Sequence, residues 1–414
     1  MMFFNYAIIA IRDENMKTAK VYLAKMLRGL RIFLTAIAMV FYRLLPKREI
    51  KLTSKRVLIN AGGRLGDAIS LIPHLCAAED SLDISVITSE YNDEILRPFF
   101  KTVIYKKLVR QTTLDNIPRR ILNDIFAMAH LCWWYAESRI SQRQRDYDVF
   151  INIGEELDSW GYALPKSRYV IGYKGYWVSL FDKVVKDNEF FEAIGLEIKR
   201  DDEFLWRAVR KIDAFVSDME APGIAGNYML VNVGCKEYRN LPLETWAGII
   251  RKLADFGRRN EIRIVVTDNK DRGTLGRLQP LLVDCQDIGY MTEDLSLWQR
   301  YKLAKKAIFY IGMDIGPSHL MQMPTNAVMI FTTGDHKLWR PYALGWKKTA
   351  EDRGNICEEG RVGKVVKAIL YKESPCRPHT DTECPSCAGL DAGFAAEQIT
   401  RMVRDLAETD ERPK

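Results

Sequence analysis

The chain has 414 residues, of which 47% are hydrophobic and 28% are charged, and this balance is typical of a folded protein long enough for two α/β domains. It does not favour an intrinsically disordered chain. The formal net charge of +7 is concentrated in residues 17–56, which hold eleven Lys or Arg residues against the single acidic residue Glu49. Because no basic groove interleaved with aromatic residues accompanies this segment, the charge does not favour nucleic-acid binding.

Residues 1–54 form a basic leader ahead of the first predicted domain. Its uncharged stretch, Ile32–Tyr42, is shorter than the roughly 20 residues that a membrane span requires, and no signal-peptide cleavage site follows it. We therefore expect a cytoplasmic protein. An amphipathic helix here would place residues 17–56 on the anionic inner face of the cytoplasmic membrane, where each basic group contributes about 1 kcal/mol. A basic helix packed on the protein itself is the alternative. The basic residues of this helix are Lys20, Lys25, Arg28 and Arg31.

The first predicted domain spans residues 55–205 and begins with a βαβ unit. The apolar stretches "RVLIN" and "DISVITSE" predict strands, and the spacing of "GDAISLIPHLCAAE" between them predicts a helix. This order of elements indicates a parallel sheet. Residues 117–144 predict a further helix, and "YDVFINIG" and "RYVIGY" predict short strands.

The same alternation restarts in a second predicted domain, residues 226–370, after a segment at 206–225 whose "MEAPGIAGN" stretch suits a hinge. The strands are "NYMLVNVG", "EIRIVVTDN" and "IFYIG". One helix should lie between Pro242 and Gly257 and another should open at Thr292. The apolar face of the first of these helices comprises Trp246, Ile249, Ile250, Leu253 and Ala254. Two parallel-sheet domains that face each other place a ligand crevice at the carboxyl ends of their strands.

Residues 371–414 form a tail with a last helix at about Ala395–Leu406 and a cysteine cluster, Cys376, Cys384 and Cys387. This spacing lacks the regular fourth ligand of a zinc site, so it signals a metal only weakly. Asp146 and Asp148 of "RDYDVF" start a strand at the pole away from the crevice, and we interpret them as a solvated strand start. We therefore expect no metal.

The turn after the first strand, "AGGRLGD", lacks the first glycine of a dinucleotide fingerprint. A helix N-terminus attracts an anion by about 1 kcal/mol, whereas a carboxylate about 4 Å from a phosphate is repelled by roughly 4 kcal/mol at an effective dielectric of 20. Unless Arg64 offsets it, Asp67 makes this turn a poor phosphate site. Asp67 either caps its helix or accepts a proton from a sugar hydroxyl.

The turn in "IFYIGMDIGPSHLMQMP" is the better diphosphate candidate, because Gly312 and Gly316 allow tight turns and the amides from Ile315 to Ser318 should bind an anion. Lys236 and Arg239 lie at the matching turn of the same domain and either reach the same phosphates or remain solvated. His319 is either a site residue or a packed core histidine. Downstream, Asp335 and Trp339 either line the same crevice or, in the case of Trp339, belong to the core.

At these residues the sequence resembles glycosyltransferase family nine, the lipopolysaccharide heptosyltransferases. The stretches that carry the resemblance are "GGRLGDAISLIPHL", "NVGCKEYRNLPLETW", "IGMDIGPSHL" and "FTTGDHKLWRPY", in the order of the family and spanning residues 56–342. The resemblance implies an α/β protein of GT-B architecture, with two Rossmann-like parallel-sheet domains facing across a crevice. It also implies inverting, metal-independent transfer of heptose from ADP-heptose to a lipid-linked core sugar of lipopolysaccharide, with no cofactor.

The resemblance also implies roles for individual residues. Asp67 matches the general base, Asp314 matches a donor-sugar contact, and His319 matches the helix residue beside the donor. The acceptor-side loop corresponds to Gly63, Arg64 and Gly66. The donor diphosphate site corresponds to Lys236, Arg239, Ile315, Gly316, Pro317 and Ser318.

Departures from the family pattern cluster on the donor side. Arg239 stands where the family usually has Lys, Leu241 where it has Trp, and Met313 and Ile315 where it has Asn and Ser. The identity of the donor sugar nucleotide is therefore not fixed by the resemblance, and a glycosyltransferase of the same fold that uses another sugar nucleotide is one alternative. A second is a nicotinamide- or flavin-dependent oxidoreductase with Glu90 as its ribose-binding acid, and a third is a catalytically silent, membrane-bound partner protein.

Overall fold

A computed structural model of the chain describes residues 56–61, 65–88, 90–104, 146–152, 167–172, 191–192, 196–235, 240–269, 273–285, 287–332, 336–373 and 389–408. The described residues divide into two compact units. Several sequence predictions lie outside them. These are the leader 1–54, the helix at 117–144, Gly63, Arg64, Lys236, Arg239, Asp335 and the cluster Cys376, Cys384 and Cys387.

The first unit contains a five-stranded parallel sheet in the order β3-β2-β1-β4-β5. Its elements are β1 (Arg56–Asn60), β2 (Asp83–Thr88), α2 (Glu90–Leu96), β3 (Lys101–Ile104), β4 (Tyr147–Asn152) and β5 (Ser167–Gly172). This strand order is that of a Rossmann half, and it reverses between β1 and β4. The predicted parallel sheet is therefore confirmed. Glu90, predicted to end the second strand, instead begins α2.

The second unit contains the helix that follows β1 and everything described from Glu197 onward. Its helices are α1 (Leu65–Ala78), α3 (Asp202–Val216), α4 (Leu243–Arg259), α5 (Thr274–Leu278), α6 (Leu297–Lys306), α7 (Gly316–Met321), α8 (His336–Trp339) and α9 (Ala392–Glu408), with a 3₁₀ turn at Gln279–Leu282. Its strands are β6 (Asn227–Asn232), β7 (Ile262–Thr267), β8 (Ile288–Met291), β9 (Phe309–Met313), β10 (Ala327–Phe331), β11 (Leu344–Asp352), β12 (Asn355–Val362) and β13 (Val365–Lys372).

The eight strands of this unit form one sheet in the order β11-β12-β13-β10-β9-β6-β7-β8. The six strands from β13 to β8 are parallel, and their order again reverses at one point, between β6 and β9. Ligands of such sheets bind outside the carboxyl ends of the strands at this switch point. Here those ends are Asn232 and Met313, and Asp314 follows directly.

The core of the second unit lies between the sheet and the helices α4 and α9. Trp246, Ile250 and Leu253 of α4 pack in one buried cluster with Ile399 and Met402 of α9 and with the inner face of the sheet. The predicted spacing of the α4 apolar residues is therefore confirmed. The predicted last helix also exists and packs within the second unit.

Several predicted boundaries were wrong for identifiable reasons. Gly257 lies inside α4, which continues to Arg259, because a Cβ there would collide with the Ile262 backbone and glycine is needed for close packing rather than for a stop. The helix predicted to open at Thr292 begins at Leu297, after Ser296 and Gln299 form a capping box.

The hinge prediction was wrong for residues 206–216, which belong to α3. Asp201 caps this helix through a hydrogen bond from the Phe204 amide, a start signal that the sequence prediction did not use. The remaining domain boundaries stay predictions. Within the described ranges, every helix is too short or too polar to cross a bilayer.

Candidate functional site

The two glycine-bearing turns that the sequence singled out lie against each other within the second unit. A Cβ built on Gly66 would lie 3.4 Å from Cδ2 of His319, and a Cβ built on Gly316 would lie 2.9 Å from Cβ of Leu65. The start of α1 and the start of α7 therefore lie against each other, and at Gly316 there is no room for a side chain beside Leu65. The contact brings the Gly66-Asp67 turn next to the Asp314–His319 segment.

Asp67 is the third residue of α1, which begins at Leu65. The capping interpretation was therefore wrong, because a cap residue precedes the helix whereas Asp67 lies in its first turn. A carboxylate in this turn is still favoured by the helix dipole. Asp67 is half-buried, and its backbone carbonyl accepts a hydrogen bond from Ser70 Oγ at 2.9 Å.

The opposite end of α1 is fixed to α3. Arg207 forms an ion pair with Asp80 at 2.6 Å, and Lys211 pairs with Glu79. In the apolar layer between these helices, the His74 ring meets the Phe204 ring edge-on at 4.8 Å. Because ion pairs near the surface contribute little, we attribute most of the attachment to the packing of α1 on α3.

Asp314 and His319 form a close pair at the start of α7. His319 Nε2 lies 3.1 Å from Asp314 Oδ1, with the two side chains 7% and 13% exposed. The Asp314 amide donates to the Ile330 carbonyl at 3.1 Å, which fixes the residue at the end of β9. The His319 ring lies 6.0 Å from the ring of half-buried Trp339. His319 is therefore a packed, buried histidine that also lies next to Asp314, so the two alternatives for this residue do not exclude each other.

Fewer backbone amides at the start of α7 are available to bind an anion than the sequence predicted. The Ser318 amide donates to the Ile315 carbonyl at 3.0 Å, and Pro317 has no amide proton. Within the described part of the chain, the amides of Ile315 and Gly316 have no hydrogen-bond acceptor. These two amides are the ones that can face an anion.

Ser318 itself is fully buried, and its Oγ lies 2.8 Å from the hydroxyl of Tyr310. Its predicted direct contact with the diphosphate is therefore not compatible with this conformation. Gly312, predicted to allow a tight turn, lies within strand β9. A Cβ on Gly312 would lie 2.8 Å from Ser318 Oγ, so glycine is required there for space rather than for a turn.

Asp148 differs from the solvated strand start that the sequence predicted. It lies inside β4 of the first unit, and its carboxylate accepts a hydrogen bond from the Arg56 amide at 2.9 Å. Asp146 is exposed. Asp148 therefore links β4 to the start of β1 at the amino end of the sheet, and only Asp146 matches the predicted solvated strand start.

Among the residues that the structure describes, no group of three or more His, Cys, Asp or Glu side chains is arranged to hold a metal ion. Among the four cysteines that the structure describes, Cys76 and Cys357 are buried, and burial raises the pKa of each of these two thiols to about 12. Both are therefore protonated thiols at neutral pH.

Three buried polar residues near the site escaped the sequence prediction. Asn232 ends β6, Tyr310 lies in β9, and Lys367 lies in β13, and all three are fully buried. The available signal was a polar residue at the end of an otherwise apolar strand in "NYMLVN". Tyr310 and Lys367 lie in apolar strands where the pattern predicts only core.

Comparison with known proteins gives the fold. No family model matches the chain, and no curated protein sequence does so. Among solved structures, it is similar to "E. coli heptosyltransferase WaaC with ADP", with 17% sequence identity, a TM-score of 0.53, and coverage of 84% of this chain and 99% of that chain.

Two further solved structures are similar to the chain at lower TM-scores. One is E. coli ADP-heptose lps heptosyltransferase II, with 11% identity, a TM-score of 0.49, and coverage of 84% of this chain and 99% of that chain. The other is a family 9 glycosyl transferase from Veillonella parvula DSM 2008, with 15% identity, a TM-score of 0.48, and coverage of 71% and 85%. The chain has the α/β fold of heptosyltransferase WaaC, which is the GT-B fold that the sequence resemblance implies.

Proposed function

We propose that the protein is an inverting, metal-independent glycosyltransferase of the heptosyltransferase type, which transfers heptose from ADP-heptose to a lipid-linked core sugar of lipopolysaccharide. The observation that carries this proposal is the contact between the two turns. It places Asp67, Asp314 and His319 on helix starts that touch, beside the switch point of the second sheet. Such a position is where nucleotide ligands bind in open α/β sheets.

We assign two roles to these three side chains: Asp67 acts as the general base, and Asp314 and His319 together contact the donor. His319 and Asp314 hydrogen-bond to each other, so each orients the other, and we assign them to the donor sugar. Asp67 lies on the other helix, α1, and we assign it the role of general base. A general base must come within hydrogen-bond reach of the hydroxyl that it deprotonates.

The reaction follows from ordinary acid-base chemistry. A carboxylate with an ordinary pKa of about 4 cannot ionise a sugar hydroxyl in advance, so Asp67 takes the proton as the new bond forms. The acceptor oxygen attacks the anomeric carbon of the donor, the bond from that carbon to the diphosphate oxygen breaks, and the proton ends on Asp67. The displaced diphosphate leaves with the negative charge.

The charge of the leaving diphosphate needs hydrogen-bond donors and cations. We propose that the amides of Ile315 and Gly316 supply donors at the start of α7. Lys236 and Arg239, predicted from the sequence, supply the positive charge. No metal enters this mechanism.

The acceptor proposal rests on the basic leader and on the family resemblance. We propose that residues 17–56 contact an anionic membrane surface and bring the protein to a lipid-linked saccharide on the inner face of the cytoplasmic membrane. The donor is less constrained, because Met313, Ile315, Arg239 and Leu241 depart from the family pattern. Leu241 is buried in the core, and unlike the tryptophan of the family pattern its side chain has no N–H that could donate a hydrogen bond.

A binding screen tests the proposal. Purified protein is heated with ADP-heptose, ADP-glucose, UDP-sugars and NAD, each with EDTA present. We expect a sugar nucleotide, with ADP-heptose the strongest, to raise the melting temperature by mass action, since a ligand at about 100 times its Kd stabilises by about 2.7 kcal/mol. Stabilisation by NAD alone would overturn the proposal, and stabilisation by a UDP-sugar alone would correct the donor.

A further inference from the structure

A buried polar network lies at the carboxyl ends of β6, β7 and β9, beneath the start of α7. It consists of Asn232, Gly234, Asn269, Tyr310 and Ser318. The hydroxyls of Tyr310 and Ser318 lie 2.8 Å apart, and Asn232 Nδ2 donates to the Tyr310 hydroxyl at 3.4 Å. All three side chains are fully buried.

The same network reaches the turn that follows β6. Asn232 Oδ1 accepts a hydrogen bond from the Gly234 amide at 3.1 Å, and the Asn269 side chain donates to the Gly234 carbonyl. A Cβ on Gly234 would lie 2.7 Å from Asn269 Nδ2, so only glycine fits where this turn lies against Asn269. Two residues later in the chain comes Lys236, which the sequence predicts as a diphosphate ligand.

We propose that Tyr310 and Asn232 are positioning residues, which hold the turn after β6 and the first turn of α7 in the fixed arrangement that a nucleoside diphosphate requires. The inference rests on the proposed function, because it assigns both turns to the diphosphate. Donors to a diphosphate act only when they are held at hydrogen-bond distance from its oxygens, and an error of about 1 Å in placement is costly.

The chemistry of the pair suits this role. Burial raises the pKa of Tyr310 to about 12, so its hydroxyl keeps its proton at neutral pH. With Asn232 donating to Tyr310, the phenol proton is available for Ser318 Oγ, and the Ser318 amide is already bonded to the Ile315 carbonyl. Ser318 is thus held at both its amide and its hydroxyl.

The test compares Tyr310→Phe with Tyr228→Phe in the full-length protein. Tyr228 is a matched control because it is also buried in the same sheet and its hydroxyl donates to a backbone carbonyl, that of Leu303, at 2.7 Å. Binding of ADP, with UDP in parallel, is measured by calorimetry, and melting temperature is measured beside it. Ser318→Ala and the double variant Tyr310→Phe/Ser318→Ala complete a double-mutant cycle.

We expect both tyrosine variants to lower the melting temperature, but only Tyr310→Phe to weaken nucleotide binding, by about tenfold, the scale of one buried hydrogen bond. Ser318→Ala should weaken binding similarly, and the double variant no further. ADP binding by Tyr310→Phe that equals wild type, or additive effects in the cycle, would overturn the inference alone. If Tyr310→Phe fails to fold, Ser318→Ala gives the same comparison. Wild-type protein that binds neither nucleotide would overturn the proposed function and this inference together.

Discussion

Replacing Asp67 with Asn is expected to lower the rate of sugar transfer by about 10² to 10⁴-fold, the usual contribution of a general base. Asn keeps the size of the side chain and its place in the first turn of α1, but it cannot accept the proton of the acceptor hydroxyl. Donor affinity should change by less than about twofold, because the donor is assigned to α7 and not to α1. The measurement is the rate of nucleoside diphosphate release in the presence of acceptor.

Asp80→Asn is the matched control for Asp67→Asn. It is the same substitution just beyond the other end of α1, where Asp80 pairs with Arg207 and its side chain is 70% exposed. This variant should transfer sugar at the wild-type rate, because an exposed ion pair contributes little to stability. An Asp67→Asn protein that retains transfer within about fivefold of wild type would exclude Asp67 as the base.

Lys367→Met is expected to lower the free energy of unfolding by about 3 kcal/mol, because it leaves buried carbonyls without donors. Lys367 lies in β13 and is fully buried. Its ammonium donates to the carbonyls of Met323 at 3.2 Å and Thr325 at 2.6 Å and also to that of Gln322. These carbonyls lie directly after α7, so the same lysine fastens the end of the helix whose start carries Asp314 and His319.

The pH dependence of stability gives a second measure of Lys367. Burial lowers its pKa well below the ordinary value of 10.5. Between the lowered value in the folded protein and 10.5 in the unfolded chain, the unfolded chain binds the extra proton, so stability rises with pH. The difference in unfolding free energy between wild type and Lys367→Met should therefore grow as the pH increases through this window.

Denaturant unfolding at several pH values makes this measurement, with Lys364→Met as control. Lys364 is exposed in the turn before β13, and its replacement should change stability by no more than about 0.5 kcal/mol. If Lys367→Met is as stable as Lys364→Met at every pH, the three hydrogen bonds do not fasten α7.

The Rossmann pattern of the second unit was predictable because its strands are apolar and short, and helices alternate with them. The strands β11 to β13 were missed for the opposite reason. No helix separates them, β11 and β12 form an antiparallel extension on β13, and β11 is largely exposed, with lysines at Lys347 and Lys348. An edge strand protected by charge has no simple hydrophobic alternation for a sequence prediction to detect.

The candidate site was predictable to the extent that it depends on local signals. Gly66, Asp67, Gly316 and His319 lie in two strand-turn-helix patterns that the sequence shows directly. What local patterns could not predict is the contact between these turns, which joins residues about 250 positions apart and depends on tertiary packing. The buried partners Tyr310 and Lys367 were missed because polar groups inside an apolar strand find their acceptors only in the folded chain.

The most direct test of the proposed function is to follow the reaction by NMR, with ADP-heptose as donor and a lipid-linked core saccharide as acceptor, in the presence of EDTA. The proposed function predicts release of ADP together with a new glycosidic bond whose anomeric configuration is opposite to that of the donor, for wild type and not for Asp67→Asn. Retention of configuration, a requirement for divalent metal, or equal transfer by Asp67→Asn would contradict it.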